Sequence, residues 1–181
     1  MKKGVVWISA IIYMGLGIVA ITLLVGAGVP IINKMRDKNT FYQTKELMHD
    51  IDKAIFEVVS EGPGSRRFLS PVNIRKGELF IKDNLEVNIK WKMETEAILQ
   101  EPDVEIQEGN LILNFKKHPV IVDEYEAEIR LEYFKTRGIV LMYNGDENLG
   151  SPGLDGRFSI TISNVGIADG NRGVKVDLTV N

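Results

Sequence analysis

Hydrophobic and polar positions divide the chain into three stretches. From Val5 to Ile32 run 28 residues without a charged side chain. At about 1.5 Å per residue they predict a helix of roughly 42 Å, more than the roughly 20 residues that cross a bilayer core. From Asn33 to Glu61 the apolar residues thin out to Phe41, Leu47, Met48, Ile51, Ala54, Ile55, Val58 and Val59. Their spacing of three and four predicts an amphipathic helix with one buried stripe. Lys45, Glu46, Asp50, Asp52, Lys53 and Glu57 fall on the other side, which is expected to face water. Gly62-Pro63-Gly64 ends the helix. Pro30, inside the apolar run, is expected to kink or locally melt it.

Beyond Gly64 the period shortens to that of a strand. Short alternating runs occupy Glu78–Ile81, Leu85–Met93, Val104–Gln107, Leu111–Phe115, Ala127–Phe134, Ile139–Tyr143, Arg157–Ser163 and Val174–Val180. Turn signals such as Lys76-Gly77, Glu108-Gly109-Asn110 and Asn144-Gly145 lie between them. Seven or eight strands with no helical pattern between them predict an all-β antiparallel sandwich. The expected class is therefore α+β: a hydrophobic-to-amphipathic helix at 5–61, then a β-sandwich domain at 65–181. Those last 117 residues are enough for a core of their own.

Composition narrows the function. With a net charge of -3, the chain lacks the excess of Lys and Arg that phosphate neutralisation requires, so nucleic acid is not expected as a partner. The absence of cysteine excludes disulfides, thiolate metal sites and a cysteine nucleophile. Charge is segregated along the amphipathic stretch: Asn33–Lys45 carries four cations and one acid, and Glu46–Glu61 five acids and one cation. Such charges read as a solvated face, or as segments that pair between staggered neighbouring helices, each exposed pair worth about 0–1 kcal/mol.

Candidate chemistry is sparse. His49 and His118 stand far apart with no metal spacing, and Asp123, Glu124, Glu126 and Glu128 lead into a strand face. The loop from Asn144 to Gly156 holds Asp146, Glu147, Asn148 and Asp155, weak calcium candidates that do not follow an EF-hand pattern. No cofactor and no catalytic residue is expected, so the chain reads as a non-enzyme. In the apolar run, Ala10, Gly17, Ala20, Ala27 and Gly28, with Pro30, are the positions at which another helix would approach closely; small residues are also simply frequent in membrane helices. Lys2 and Lys3 before the run and Lys34, Arg36 and Lys38 after it leave its orientation undecided by charge. A cleaved secretory signal usually has an apolar region of about 7–15 residues, shorter than this one.

A very short basic leader, Lys2-Lys3-Gly4, placed directly before an uninterrupted apolar helix that continues as an amphipathic helix into a β domain, resembles archaeal type IV pilins and archaellin-like subunits with a class III (prepilin-type) signal peptide. The resemblance implies scission between Gly4 and Val5 by a prepilin peptidase, a membrane-inserted precursor, and a β domain outside the cell. It further implies that an assembly machinery polymerises the helices into a cell-surface filament, with adhesion as one use. Bacterial members usually carry a glutamate at the fifth mature position; Ser9 stands there, which suits archaeal subunits. The alternative is a single-span membrane-anchored β domain that binds an extracytoplasmic partner. An anchored enzyme is the third.

Overall fold

The computed structural model describes residues 3–82, 88–133, 138–168 and 173–181. One helix, α1 (Lys3–Glu61), is followed by eight strands: β1 (Arg66–Ile81), β2 (Asn88–Thr95), β3 (Ile106–Glu108), β4 (Leu111–Lys117), β5 (Tyr125–Glu132), β6 (Ile139–Tyr143), β7 (Leu154–Ile167) and β8 (Val174–Val180). The chain forms two compact units, Met1–Arg36 and Asp37–Asn181. The amphipathic half of α1 thus belongs to the same unit as the strands, and the core expected within 65–181 extends back to Phe41.

The α+β class is as the periodicities imply. All eight strands share one hydrogen-bonded sheet, in the order β3-β4-β5-β2-β1-β7-β8-β6, so the layer packed on it includes a helix face. Each expected strand overlaps an observed one: β3 shares only Ile106 and Gln107 with its expected run, β7 is twice as long as expected, Leu85–Val87 and Phe134 of two expected runs lie outside the described residues, and the strand expected at Glu78–Ile81 is far longer. Strand β1 starts at Arg66 and pairs with β7 from Arg66↔Ser163 to Ile74↔Gly156 and with β2 from Glu78↔Lys92 to Ile81↔Ile89. Arg66, Arg67, Ser70, Pro71 and Lys76 interrupt its apolar alternation, leaving only Val72 and Ile74 buried before Leu79. A second departure is that β6 and β8 run parallel, Ile139 beside Val174, within a sheet that is otherwise antiparallel. The residues after β6 lead to β7, which pairs β1, so β8 rather than β7 becomes the neighbour of β6.

Period-two burial puts one apolar row after another across the sheet: Leu113, Ile129, Trp91 and Leu79 are cross-strand neighbours, all 3% exposed or less. Met48, Ile51, Ile55 and Val58 of α1 are completely buried in the same cluster, and Phe41 meets Trp91 with ring centroids 6.3 Å apart. The helix runs unbroken through Pro30, which has no N–H to donate, so the expected local melting does not occur. At the other end, Gly62 (φ 96°) and Gly64 (φ 89°) take left-handed conformations that favour glycine and turn the chain into β1.

Candidate functional site

The apolar half of α1 is the outstanding feature. Among the described residues α1 is the one helix long and apolar enough to cross a membrane, with a mean hydropathy of 2.3 over its best window and none of that window buried. Trp7, Ile12, Leu16, Ile21 and Leu24 are each more than 60% exposed in the single chain. An apolar surface of this extent needs a lipid or protein cover. Such a helix can span a membrane or act as a signal.

Of the expected leader residues, Lys2 lies outside the described residues, and Lys3, Gly4 and Val5 are the first helical backbone positions of α1. The expected packing residues do not form one seam. At about 100° per residue, Ala10, Gly17 and Gly28 align within about 20°, and Ala20 and Ala27 lie about a quarter-turn away. Pro30 falls on the far side, beside Gly15 and Gly26, by the same count of about 3.6 residues per turn. A Cβ added at Gly15, Gly17, Gly26 or Gly28 would meet nothing within 4 Å. Each glycine costs about 1 kcal/mol of helix propensity relative to alanine, and no contact within the chain requires it. Thr22 returns its hydroxyl to the Ile18 carbonyl (2.9 Å), which leaves no free donor there.

The amphipathic half is fastened along its whole length. At its start, Asp37 accepts from Thr95 Oγ1 (2.7 Å) and pairs with Lys76 (2.8 Å). About two turns on, Lys45 pairs with Glu108 (2.5 Å). Asp52, expected to face water, is instead half-buried and accepts from Asn110 Nδ2 (2.9 Å) and from the hydroxyl of Tyr133 (3.0 Å). Glu57 and Glu61 both take Arg67, whose guanidinium they hold above its ordinary pKa through hydrogen bonds. The last contact is to the backbone: Asn164 Nδ2 (2.9 Å) and Ser65 Oγ (2.6 Å) donate to the Val58 carbonyl, one of the orphan acceptors at a helix end. The segregated charges that the sequence offered for pairing between helices are therefore partly committed within the chain, at Asp37, Lys45, Glu57 and Glu61.

No family model, curated protein or solved structure matches the chain. Its function is argued from its own residues.

The loop before β7 is structural in detail. Asn144 (φ 50°) and Gly145 (φ 80°) form a tight turn of the type that needs two positive φ angles, closed by mutual Tyr143 and Asp146 backbone bonds of 3.0 and 3.1 Å. Asp146 accepts from Asn148 N–H (2.7 Å), Glu147 pairs with Lys175 (3.0 Å), and Asp155 lies exposed in β7. Asp146, Glu147 and Asp155, the acids among the four calcium candidates, are thus not gathered as a set, and among the described residues no group of three His, Asp or Glu side chains forms a metal site. Asp177, a buried acid on the apolar strand β8, was not singled out by sequence; it accepts from Gly145 N–H (2.7 Å) and from Thr179 (2.9 Å) and fastens the turn. The V-K-V-D-L-T-V pattern, with one acid among apolar residues, was the available signal. Ser151 completes the attachment by accepting from Ile81 N–H (2.7 Å), next to the buried Lys82, whose ammonium pKa burial lowers against the opposing charges of Glu147 and Asp146.

Among the described residues neither histidine joins a group of three possible metal ligands. His49 is exposed on α1. His118 Nδ1 accepts from the N–H groups of Val120 (3.3 Å) and Ile121 (3.0 Å) and so orders the β4–β5 turn. A shallow depression of about 440 Å³ on the sheet is lined by Lys76, Glu78, Phe80, Lys92, Met93, Glu94 and Glu126, charges of both signs without a nucleophile beside a base.

Proposed function

We propose that this chain is a structural subunit of an archaeal type IV pilus-like filament. Its precursor rests in the membrane through Val5–Ile32, a prepilin-type peptidase cuts after Gly4, and the apolar helices of many copies then bundle into the filament core with the β domains outside. The observation that carries the proposal is the run from Lys2-Lys3-Gly4 into 28 charge-free residues, continued without a break as a helix whose second half is part of the domain core. Two further features favour copies of the helix over lipid as the final cover. At four glycines a side chain would meet nothing of its own chain, and the small residues face two sides, as a helix with several neighbours requires.

The test is the mature N-terminus together with particle shape. Mass spectrometry should find a chain beginning at Val5, and negative-stain microscopy should find surface filaments that contain it. Gly4→Leu should abolish processing and filaments together. An intact Met1 with dispersed single chains in detergent would overturn the proposal and leave a membrane-anchored binding module.

A further inference from the structure

Two surfaces of the folded unit Asp37–Asn181 lie outside its core, carry opposite charge, and share an exposed apolar centre. The first is the outer face of the β1–β7 pair. Phe68, opposite Thr161, is 65% exposed there, while Val72, Ile74, Ile160 and Ile162 of the same two strands are buried on the inner face. Arg66, opposite Ser163, and Arg157, opposite Asn73, are exposed to either side of it, and Arg75 follows on β1. The paired stretches Arg66–Ile74 and Gly156–Ser163 contain no acid. Among the described residues none of these three guanidiniums is in an ion pair, in contrast to Arg67, which Glu57 and Glu61 hold. An aromatic ring ringed by unpaired arginines has the composition in which protein contact sites are enriched.

The second surface is the β4–β5 turn with the loop after β2. Val120, Ile121 and Val122 are 82%, 52% and 79% exposed, three consecutive aliphatic side chains at the tip of a hairpin. The tip is held in shape: besides the two N–H groups accepted by His118 Nδ1, His118 N–H donates to the Glu124 carbonyl (2.8 Å), and Asp123 takes a left-handed φ of 62°. Lys117 pairs with Tyr125, and Tyr125 with Thr95, which bonds Asp37, so the loop after Thr95 leaves the sheet at the same end as the tip. That loop adds the exposed Ile98, and its Asp103 N–H donates to the Phe115 carbonyl (2.7 Å), bringing it back beside β4. Glu94, Glu96, Glu101, Asp103 and Asp123 stand exposed around these aliphatic groups, against the cations Lys116 and Lys117. Among the described residues none of the five acids is in an ion pair.

Neither surface matches itself, because arginines would face arginines and acids would face acids. Each matches the other. A contact between unlike surfaces of identical chains is head-to-tail and does not close on a pair, so it propagates. We propose that the Phe68 face of one copy, with Arg66, Arg75 and Arg157, receives the Val120–Val122 turn and its acids from a second copy of this chain. The aliphatic groups cover the Phe68 ring, and the charges at the rim set orientation and exclude the self-matched pairings. The contact joins the β units directly, beyond the packing of the apolar helices. An acidic polymer would be drawn to the arginines but leaves the acid-flanked aliphatic turn without a partner. The inference deepens the filament reading and rests on it for the neighbouring copy.

Because the chain has no cysteine, single cysteines give unique cross-link sites. Cells that display the full-length chain co-produce a Thr161→Cys and a Val122→Cys variant and are treated with a mild oxidant, and surface filaments are scored by microscopy in the same samples. Disulfide-linked 161–122 pairs should exceed 161–161 and 122–122 pairs by at least about ten-fold, as a head-to-tail contact requires. Adding Arg66→Glu and Arg157→Glu to the Thr161→Cys chain should abolish the mixed pair, and so should Glu96→Lys with Glu101→Lys in the Val122→Cys chain. Producing the two reversed chains together should restore at least about half of it, a recovery that misfolding of either variant could not give. Filaments without the 161–122 pair, or a loss that the double reversal does not restore, overturn the contact and leave the filament reading standing. Neither filaments nor pair overturns both, and a pair without filaments overturns the filament reading alone. Pairs that vanish on enzymatic removal of surface glycan make an acidic polymer the partner of the arginines and also overturn the contact.

Discussion

Ile21 and Ile55 lie on the same helix, and the same substitution at each should have opposite consequences for the domain. Ile55 is fully buried against the sheet, whereas Ile21 is 63% exposed in the single chain. Ile55→Ala removes three carbons from the core, about 2.4 kcal/mol of transfer free energy at about 0.8 kcal/mol each. The cavity left between Met48, Ile51, Val58 and the strands adds to that, giving about 2–5 kcal/mol in all. With a urea m-value of about 1–3 kcal/mol per molar, the unfolding midpoint should fall by about 1 M or more. Ile21→Ala should leave it unchanged. The assay is equilibrium unfolding of the full chain in detergent, followed by fluorescence. Of the two tryptophans, Trp91 is buried beside Phe41 and its Nε1 donates to the Lys76 carbonyl (3.2 Å), so a Trp7→Phe background isolates a reporter of the helix–sheet interface. An Ile55→Ala midpoint within about 0.5 kcal/mol of the parent, the range of ordinary surface changes, would refute the assignment of the amphipathic half to the core. A comparable loss from Ile21→Ala would refute the independence of the apolar half from domain stability.

Two further outcomes test the joints of the domain. Asn164→Ala should destabilise it by about 2–3 kcal/mol, because the buried amide both caps the Val58 carbonyl and accepts from Gly166 N–H (3.0 Å); thermal unfolding should show a midpoint lower by several degrees. Gly77→Ala should cost more than about 3 kcal/mol or prevent folding, since its φ is 80° and the new Cβ would stand 2.1 Å from the Lys92 carbonyl oxygen; circular dichroism and soluble yield report it, and a yield and midpoint equal to the parent would sink the claim.

Much of this architecture is legible in the order of residue types. A charge-free run has no ambiguity of period, so the apolar half of α1 and its length follow directly. The stripe Phe41–Met48–Ile51–Ile55–Val58 and the stop at Gly62-Pro63-Gly64 are equally local signals, and strands with strict alternation, such as Leu111–Leu113–Phe115, declare themselves. The first half of β1 does not, because its partner β7 lies some 90 residues away and its side chains are mostly exposed, so no burial pattern marks it. Nor does the parallel β6–β8 pair, which depends on where the chain goes between them.

Sequence by itself thus determined that an apolar helix precedes an amphipathic one and that strands follow, since these depend on neighbours within a few residues. It also supplied Lys2-Lys3-Gly4 ahead of the apolar run, on which the proposed filament reading rests. Only the tertiary structure decided that the amphipathic half is a layer of the domain, that Asp52 is bonded to Tyr133 and Asn110, that the acids before β7 serve a turn and not an ion, and that an aliphatic hairpin tip lies at the Asp37 end of the sheet. Each of those depends on contacts across dozens of residues, and the same local pattern is compatible with many such pairings until the chain closes on one.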